Sequence, residues 1–343
     1  MADEKKACDV PHAAAIFHIY PLTAEAKAQY PETRGSSNDA APPCGARIAT
    51  NTKGDAGVDL RFPKRIDIAP GKTVDVDLEV RAWCDVQGAS VPYFLVPRSS
   101  IGKTPLLAGE DFGPVVGAAD AAVISPIAIK FCPTEITPAS VKTLVVTLTN
   151  TGKVPYVISP GVALFQLVEV NLRPATYRRV DAWNPPAAQS PGNTGKFTAL
   201  LCSPDEKAMR LAETTMLPLP QDVTIEPKAV ADVRLGVRAA FLRDGETPWA
   251  CWLVPLLNDT PLVMKNWAGV VDAGYRGELI AKIYNTSATK YKLSKGVTAF
   301  GVMNPFGTLT AAYHVPGTHP QFTDGATERG AGAFGSTGES GQK

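Results

Sequence analysis

Short apolar runs broken by proline, glycine and polar residues recur along the whole chain, and no stretch sustains the three-to-four spacing of a long amphipathic helix. Ala13 to Tyr20, Val74 to Val80, Tyr93 to Val96, Leu144 to Thr149 and Val162 to Val170 read as strands, and the polar run from Thr33 to Asn38 reads as a loop. The second half shows the same succession, so the pattern predicts an all-β protein. Arg173 to Lys196, with Pro185-Pro186 and Ser190-Pro191-Gly192, is the expected linker. Gly269 to Glu278 is expected to be a β-hairpin, because Val270 and Val271 lead into Asp272-Ala273-Gly274 and strand character resumes at Tyr275 and Leu279 to Ile283.

The pattern also repeats. Leu144 to Val162 aligns with Leu279 to Val297 without a gap, matching Asn150 with Asn285, Thr151 with Thr286, Tyr156 with Tyr291 and Gly161 with Gly296. Upstream, Ile68-Ala69-Pro70 and the run from Asp75 to Ala82 align with Ile225-Glu226-Pro227 and the run from Asp232 to Ala239. Two tandem β units in one chain follow, expected at residues 12–172 and 197–310, joined by a linker at 173–196 and followed by a flexible Gly-rich tail at 311–343. The copies differ in chemistry. Asp59 falls opposite Met216, Arg98 and Ser99 opposite Leu256 and Leu257, and Gln166 opposite Gly301. In the other direction, Asp272 falls opposite Thr137 and Tyr275 opposite Ser140, although an insertion around Gly109 to Ala122 leaves open whether the first copy keeps a hairpin. Each copy retains what the other lacks, which predicts one composite site per chain.

Composition narrows the function classes. The 343 residues favour two compact units, and a hydrophobic share of 45% supports substantial cores. A formal charge of +1 leaves no footprint for nucleic acid or for an anionic membrane. Cys8, Cys44, Cys84, Cys132, Cys202 and Cys251 form no Cys-x-x-Cys pair and no long apolar leader precedes them, so an intracellular, reducing setting in cytoplasm or nucleus is expected, without structural zinc.

Four stretches carry candidate chemistry. Asp55-Ala56-Gly57-Val58-Asp59-Leu60 places Asp59 on an alternating strand. Val96-Pro97-Arg98-Ser99-Ser100 offers a guanidinium that forks onto phosphate oxygens, hydroxyl donors and consecutive amides. The Asp272 stretch pairs a carboxylate able to hold a water with the flat ring of Tyr275, and Gly269 exposes backbone to a planar ligand. Arg329 to Gly338 sets Phe334, Gly335, Ser336 and Thr337 in a glycine-rich segment suited to closing over a ligand. An ordinary turn, a solvated strand residue or a disordered tail would explain any one of these alone.

Together and in this order they resemble the motifs of the dUTPase family, enzymes that hydrolyse dUTP to dUMP and pyrophosphate. Most of that family are trimers of one unit; this chain resembles the monomeric, duplicated form of herpesviruses. In that form the hairpin motif lies in the first half and the others in the second, whereas here it follows the first two motifs. The resemblance implies a jelly-roll fold in each unit, Mg²⁺ held through water by Asp59, and Asp272 as the base for the attacking water. It implies phosphate contacts from Arg98, Ser99, Ser100, Gln166 and the tail residues Arg329, Gly335, Ser336 and Thr337, with the Phe334 ring closing over the base. Gly269 would meet uracil through its backbone and Tyr275 would pack under the sugar. The family pattern has glycine where this tail has Ala333. A dCTP deaminase, with the same fold, is disfavoured because Lys282 stands where that family has a catalytic glutamate. A catalytically silent interaction module is the reading from another class.

Overall fold

The structure, a computed structural model, describes residues 14–30, 55–91, 93–108, 143–185, 196–203, 215–257, 260–303 and 308–323. The first unit comprises β1 (Ala15–Pro21), α1 (Ala24–Gln29), β2 (Gly57–Arg61), β3 (Ile66–Ile68), β4 (Thr73–Asp77), β5 (Val80–Val86), β6 (Ala89–Val91) and β7 (Tyr93–Pro97). It continues with β8 (Leu106–Ala108), β9 (Val145–Asn150), β10 (Tyr156–Ile158), β11 (Ala163–Glu169) and β12 (Ala175–Arg179). The second comprises β13 (Lys196–Cys202), β14 (Thr215–Pro218), β15 (Val223–Ile225), β16 (Val230–Arg243), β17 (Thr247–Trp249) and β18 (Cys251–Pro255). After these come β19 (Leu262–Met264), β20 (Gly269–Val271), β21 (Glu278–Asn285), β22 (Tyr291–Leu293), β23 (Thr298–Met303) and β24 (Thr308–His314).

Both units use one topology. The sheets β12-β1-β5-β6, β2-β11-β7, β3-β10 and β4-β9-β8 of the first recur as β24-β13-β16-β21-β19, β14-β23-β18-β20 and β15-β22 in the second, where the long β16 does the work of both β4 and β5. The bend dividing β4 from β5 sits at Glu79, with φ 56°, and the register slip in β16 surrounds the aligned Gly236, with φ 63°. Repeated polar contacts fix repeated turns. The Asn150 amide donates to the Ile68 and Val154 carbonyls, and the Asn285 amide donates to those of Ile225 and Thr289. Thr151 Oγ1 donates to the Pro105 carbonyl as Thr286 Oγ1 does to Pro261.

Each unit encloses its own core, Phe17, Leu60, Phe62 and Phe165 in the first and Phe197, Leu235, Ile283 and Phe300 in the second. A third cluster seals the units together. Phe94, Val96, Val168, Val170 and Leu172 of the first pack against Ala250, Trp252, Val254 and Ala268 of the second, with the Phe94 and Trp252 rings 6.1 Å apart and steeply inclined. Trp249 Nε1 donates to the Asn171 carbonyl across the same seam.

Three sequence expectations change. Gly269 to Glu278 is a corner and not a hairpin: β20 pairs with β18, whereas β21 pairs with β16 and β19 in another sheet. The turn itself is present, closed by the Tyr275 amide donating to the Asp272 carbonyl at 2.9 Å. Local turn chemistry specifies the reversal but not the strand's partner. Residues 173–196 are not wholly a linker, because β12 joins β1 in parallel. Nor does the tail begin at 311, since β24 runs to His314 and the 3-10 turn Pro320–Phe322 buries Phe322 among Leu200, Cys202 and Leu242. The helix α1, capped by Thr23 Oγ1 accepting from the Ala26 amide, was not anticipated.

Trp252 is 1% exposed at the centre of the seam. Trp252→Ala is expected to lower unfolding free energy by about 3–5 kcal/mol, read by urea denaturation; a loss below about 1 kcal/mol would show that this ring does not hold the units together.

Candidate functional site

Strand alternation builds the site along the seam. On β7, Tyr93 and Leu95 turn into the first core while Phe94 and Val96 turn to the second unit, so the next residue in that alternation, Arg98, emerges where the apolar contact ends. On β11, Leu167 belongs to the core and Val168 to the seam, which puts Gln166 on the seam side. Gln166 stands opposite Asp59 on β2, so their side chains share a face. Its amide lies over Gly57, where an added Cβ would come within 2.4 Å of Oε1. Any larger residue there would push the Gln166 amide out of this position.

Arg98 Nε pairs with Asp59 Oδ1 at 2.8 Å, with both side chains mostly covered. Arg98 also donates from Nη1 to the Ala163 carbonyl at 3.2 Å, as Ser100 Oγ does at 3.4 Å. The 3-10 turn Ser99–Lys103 follows at once, so Ser99 and Ser100 head a turn whose first amides have no partner within it. Burial raises the Asp59 pKa, opposed by Arg98 and Arg61.

The second unit brings Asp272 to the same place. The Ala56 amide of the first unit donates to Asp272 Oδ1 at 2.9 Å. Burial pushes the Asp272 carboxyl up to about 6, against the pull of that hydrogen bond and of Arg98, while the Asp59 charge raises it further. Tyr275 folds back so that its hydroxyl donates to the Glu278 carbonyl at 2.7 Å, over Gly277, where a Cβ would meet the hydroxyl at 2.5 Å. Its ring packs beside the second core. Gly269 pairs with Leu253 on β18, one strand from the corner.

Asp59, Arg98, Ser99, Ser100, Gln166 and Asp272 therefore gather at the seam, with Tyr275 at the same corner. Arg329, Phe334, Gly335, Ser336 and Thr337 lie outside the described residues. Two contributors escaped the sequence reading. The Ala56 amide is a backbone donor, and only its place between Asp55 and Gly57 marks it. Arg276 is buried and donates to the carbonyls of Ala273, Tyr275 and Gln321, with Nη2 on Gln321 Oε1 at 2.8 Å, locking the corner that carries Asp272. The second unit's counterpart face is apolar, with Leu256 and Met303 packed onto the seam. Lys282 pairs with Asp232.

Of the two carboxylates here, Asp59 is the one that would meet a metal's water, since Asp272 holds the Ala56 amide. Asp59 gives one oxygen to Arg98, and no group of three or more His, Cys, Asp or Glu able to hold an ion occurs among the described residues. That donor set fits Mg²⁺, which keeps most of its waters and binds through one or two carboxylates together with substrate phosphates. No helix among the described residues is long and apolar enough to cross a membrane.

Asp272→Asn keeps an acceptor for the Ala56 amide and removes the charge. The folded carboxyl titrates near 6 and the unfolded one near its ordinary value, so in between the folded state holds the extra proton, and its stability falls as pH rises through that window. The variant should gain on the order of 1 kcal/mol at about pH 8 and nothing at about pH 4, read from denaturation at both pH values. An equal change at both would deny that the buried charge is the cause.

The chain has no matching family model. Over 123 residues it is 33% identical to the deoxyuridine 5'-triphosphate nucleotidohydrolase of Burkholderia multivorans, covering 34% of this chain and 74% of the relative. The enzyme of that name from Bordetella avium is 32% identical over 125 residues, with 34% and 75% covered. A solved dUTPase from Streptococcus mutans aligns with 29% of this chain and 87% of its own at 22% identity, with a TM-score of 0.26.

Proposed function

The chain belongs to the deoxyuridine 5'-triphosphate nucleotidohydrolase family, and from that premise we propose that it hydrolyses dUTP to dUMP and pyrophosphate at one site assembled from both of its units. The observation that carries the composite site is the hydrogen bond from Ala56 of the first unit to Asp272 of the second, at 2.9 Å, beside the Asp59–Arg98 pair.

Asp272 orients a water toward the α-phosphate and takes its proton, for which a pKa of about 6 suits neutral pH: the group is ionised there yet basic enough to accept. Arg98, Ser99, Ser100 and Gln166 hold the phosphate chain in line. Asp59 would hold Mg²⁺ through a water, and the ion would supply neutralisation of phosphate charge. The backbone around Gly269 reads the uracil edge, and Tyr275 lies under the sugar, where a 2′-hydroxyl would lose its solvation and crowd the ring. Substrate contacts from Arg329, Phe334, Gly335, Ser336 and Thr337, which lie outside the described residues, belong to the same proposal. The reading includes a monomer with one site per chain.

Pyrophosphate release measured across dUTP, dCTP, dTTP and UTP should be confined to dUTP; comparable turnover of any other would overturn the assignment. For dUTP, kcat/KM should fall as pH drops through about 6, because protonation removes the Asp272 base. Asp272→Asn should cut kcat at least a hundredfold and keep KM within about threefold. Near-normal kcat in that variant would remove Asp272 from the role of base.

A further inference from the structure

The segment Lys265 to Ala268, which joins β19 to β20, belongs in sequence to the second unit but lodges in the first. Lys265 is 1% exposed, and its Nζ donates to the Thr104 carbonyl at 2.7 Å. Trp267 packs in the first unit's core and donates from Nε1 to the Ala108 carbonyl at 2.9 Å. Its φ of 58° is left-handed, a conformation that bulky side chains adopt only when their surroundings impose it. A third contact comes from Lys282 of β21, whose Cδ lies 2.1 Å from where a Cβ on Gly102 would be. All three fall on the chain directly after Arg98-Ser99-Ser100: Gly102 within the 3-10 turn, Thr104 at its C-cap and Ala108 at the end of β8.

We propose that Lys265 and Trp267 are positioning residues for phosphate binding: the second unit braces the turn after Arg98-Ser99-Ser100 and thereby sets it against the corner that carries Asp272. This rests on the dUTP reading above. A buried ammonium is costly without a partner, and burial together with the charge of Lys282 draws this one down to about 8. The carbonyl at the C-terminal end of a 3-10 turn is where a cation is best received. One segment ties both halves of the site, since three residues beyond Ala268 it becomes the strand end that leads into Asp272. Neither Lys265 nor Trp267 touches the Asp59–Arg98 pair, so their effect reaches substrate through the turn.

The test separates phosphate binding from nucleoside binding. Dissociation constants for dUMP and for the non-hydrolysable α,β-imido analogue of dUTP are measured on the full chain, and their ratio gives the gain from the two added phosphates. Lys265→Met should shrink that gain roughly tenfold with dUMP affinity unchanged, and raise KM for dUTP more than it lowers kcat. Trp267→Phe, which keeps an aromatic ring but loses the Nε1 donor and part of the indole's volume, should do the same to a smaller degree and serves if Lys265→Met does not fold. A variant that melts earlier yet keeps the gain, or loses dUMP and analogue affinity equally, overturns the proposal. Arg98→Ala serves as the reference: if it leaves the gain intact, the phosphate-site reading fails, whereas loss in Arg98→Ala with none in Lys265→Met or Trp267→Phe defeats the brace alone.

Discussion

The apolar seam between the two β units is the constraint on which the rest depends. Phe94, Val96, Val168 and Val170 turn outward from the first unit's own core, and Trp252 with Val254 turns outward from the second's. Such a surface left in water would cost roughly 25 cal/mol for each Å², so neither face is tolerable unpaired. Pairing them has a polar consequence, since the same strands that run through the seam deliver Arg98, Asp59 and Gln166 to its edge. Position on the strand decides which residues become seam and which become site.

The seam also gives a physical reason for the unequal chemistry of the copies. At the places where the first unit has Arg98 and Gln166, the second has Leu256 and Gly301, and Leu256 packs against the seam with Met303. A guanidinium there would be stripped of water without a partner. In the first unit the Arg98 charge is met by Asp59, while Asp272 arrives from across the seam with its carboxyl raised by burial. Two carboxyl groups in one site, one ion-paired and one held by a backbone amide, are the electrostatic basis for giving them different proposed roles.

Much of this was legible in the sequence because duplication writes the fold twice. The matched Asn150 and Asn285 make matching hydrogen bonds. The alignment of Arg98 with Leu256 holds in detail, since their amides donate to the carbonyls of Leu164 and Ala299, which pair in the same alignment. What was not legible depends on partners far along the chain. The pairing of β12 with β1 spans most of the first unit, and proline and glycine around it gave the look of a linker. The corner at Asp272 reads as a hairpin because nothing local says that β20 will choose β18 and β21 will choose β16. Lys265 and Trp267 look like ordinary loop residues until the first unit is placed beside them.

The central claim is that both halves of one chain build one site. It is tested most directly by co-refolding Asp59→Ala chains with Asp272→Ala chains and measuring dUTP hydrolysis, with the wild-type protein sedimented in parallel. If the site is intramolecular, every mixed molecule still carries one lesion, and the mixture should be no more active than either variant alone, with the wild type sedimenting as a monomer. Substantial recovery of hydrolysis in the mixture would mean that Asp59 and Asp272 meet between chains, which contradicts the account.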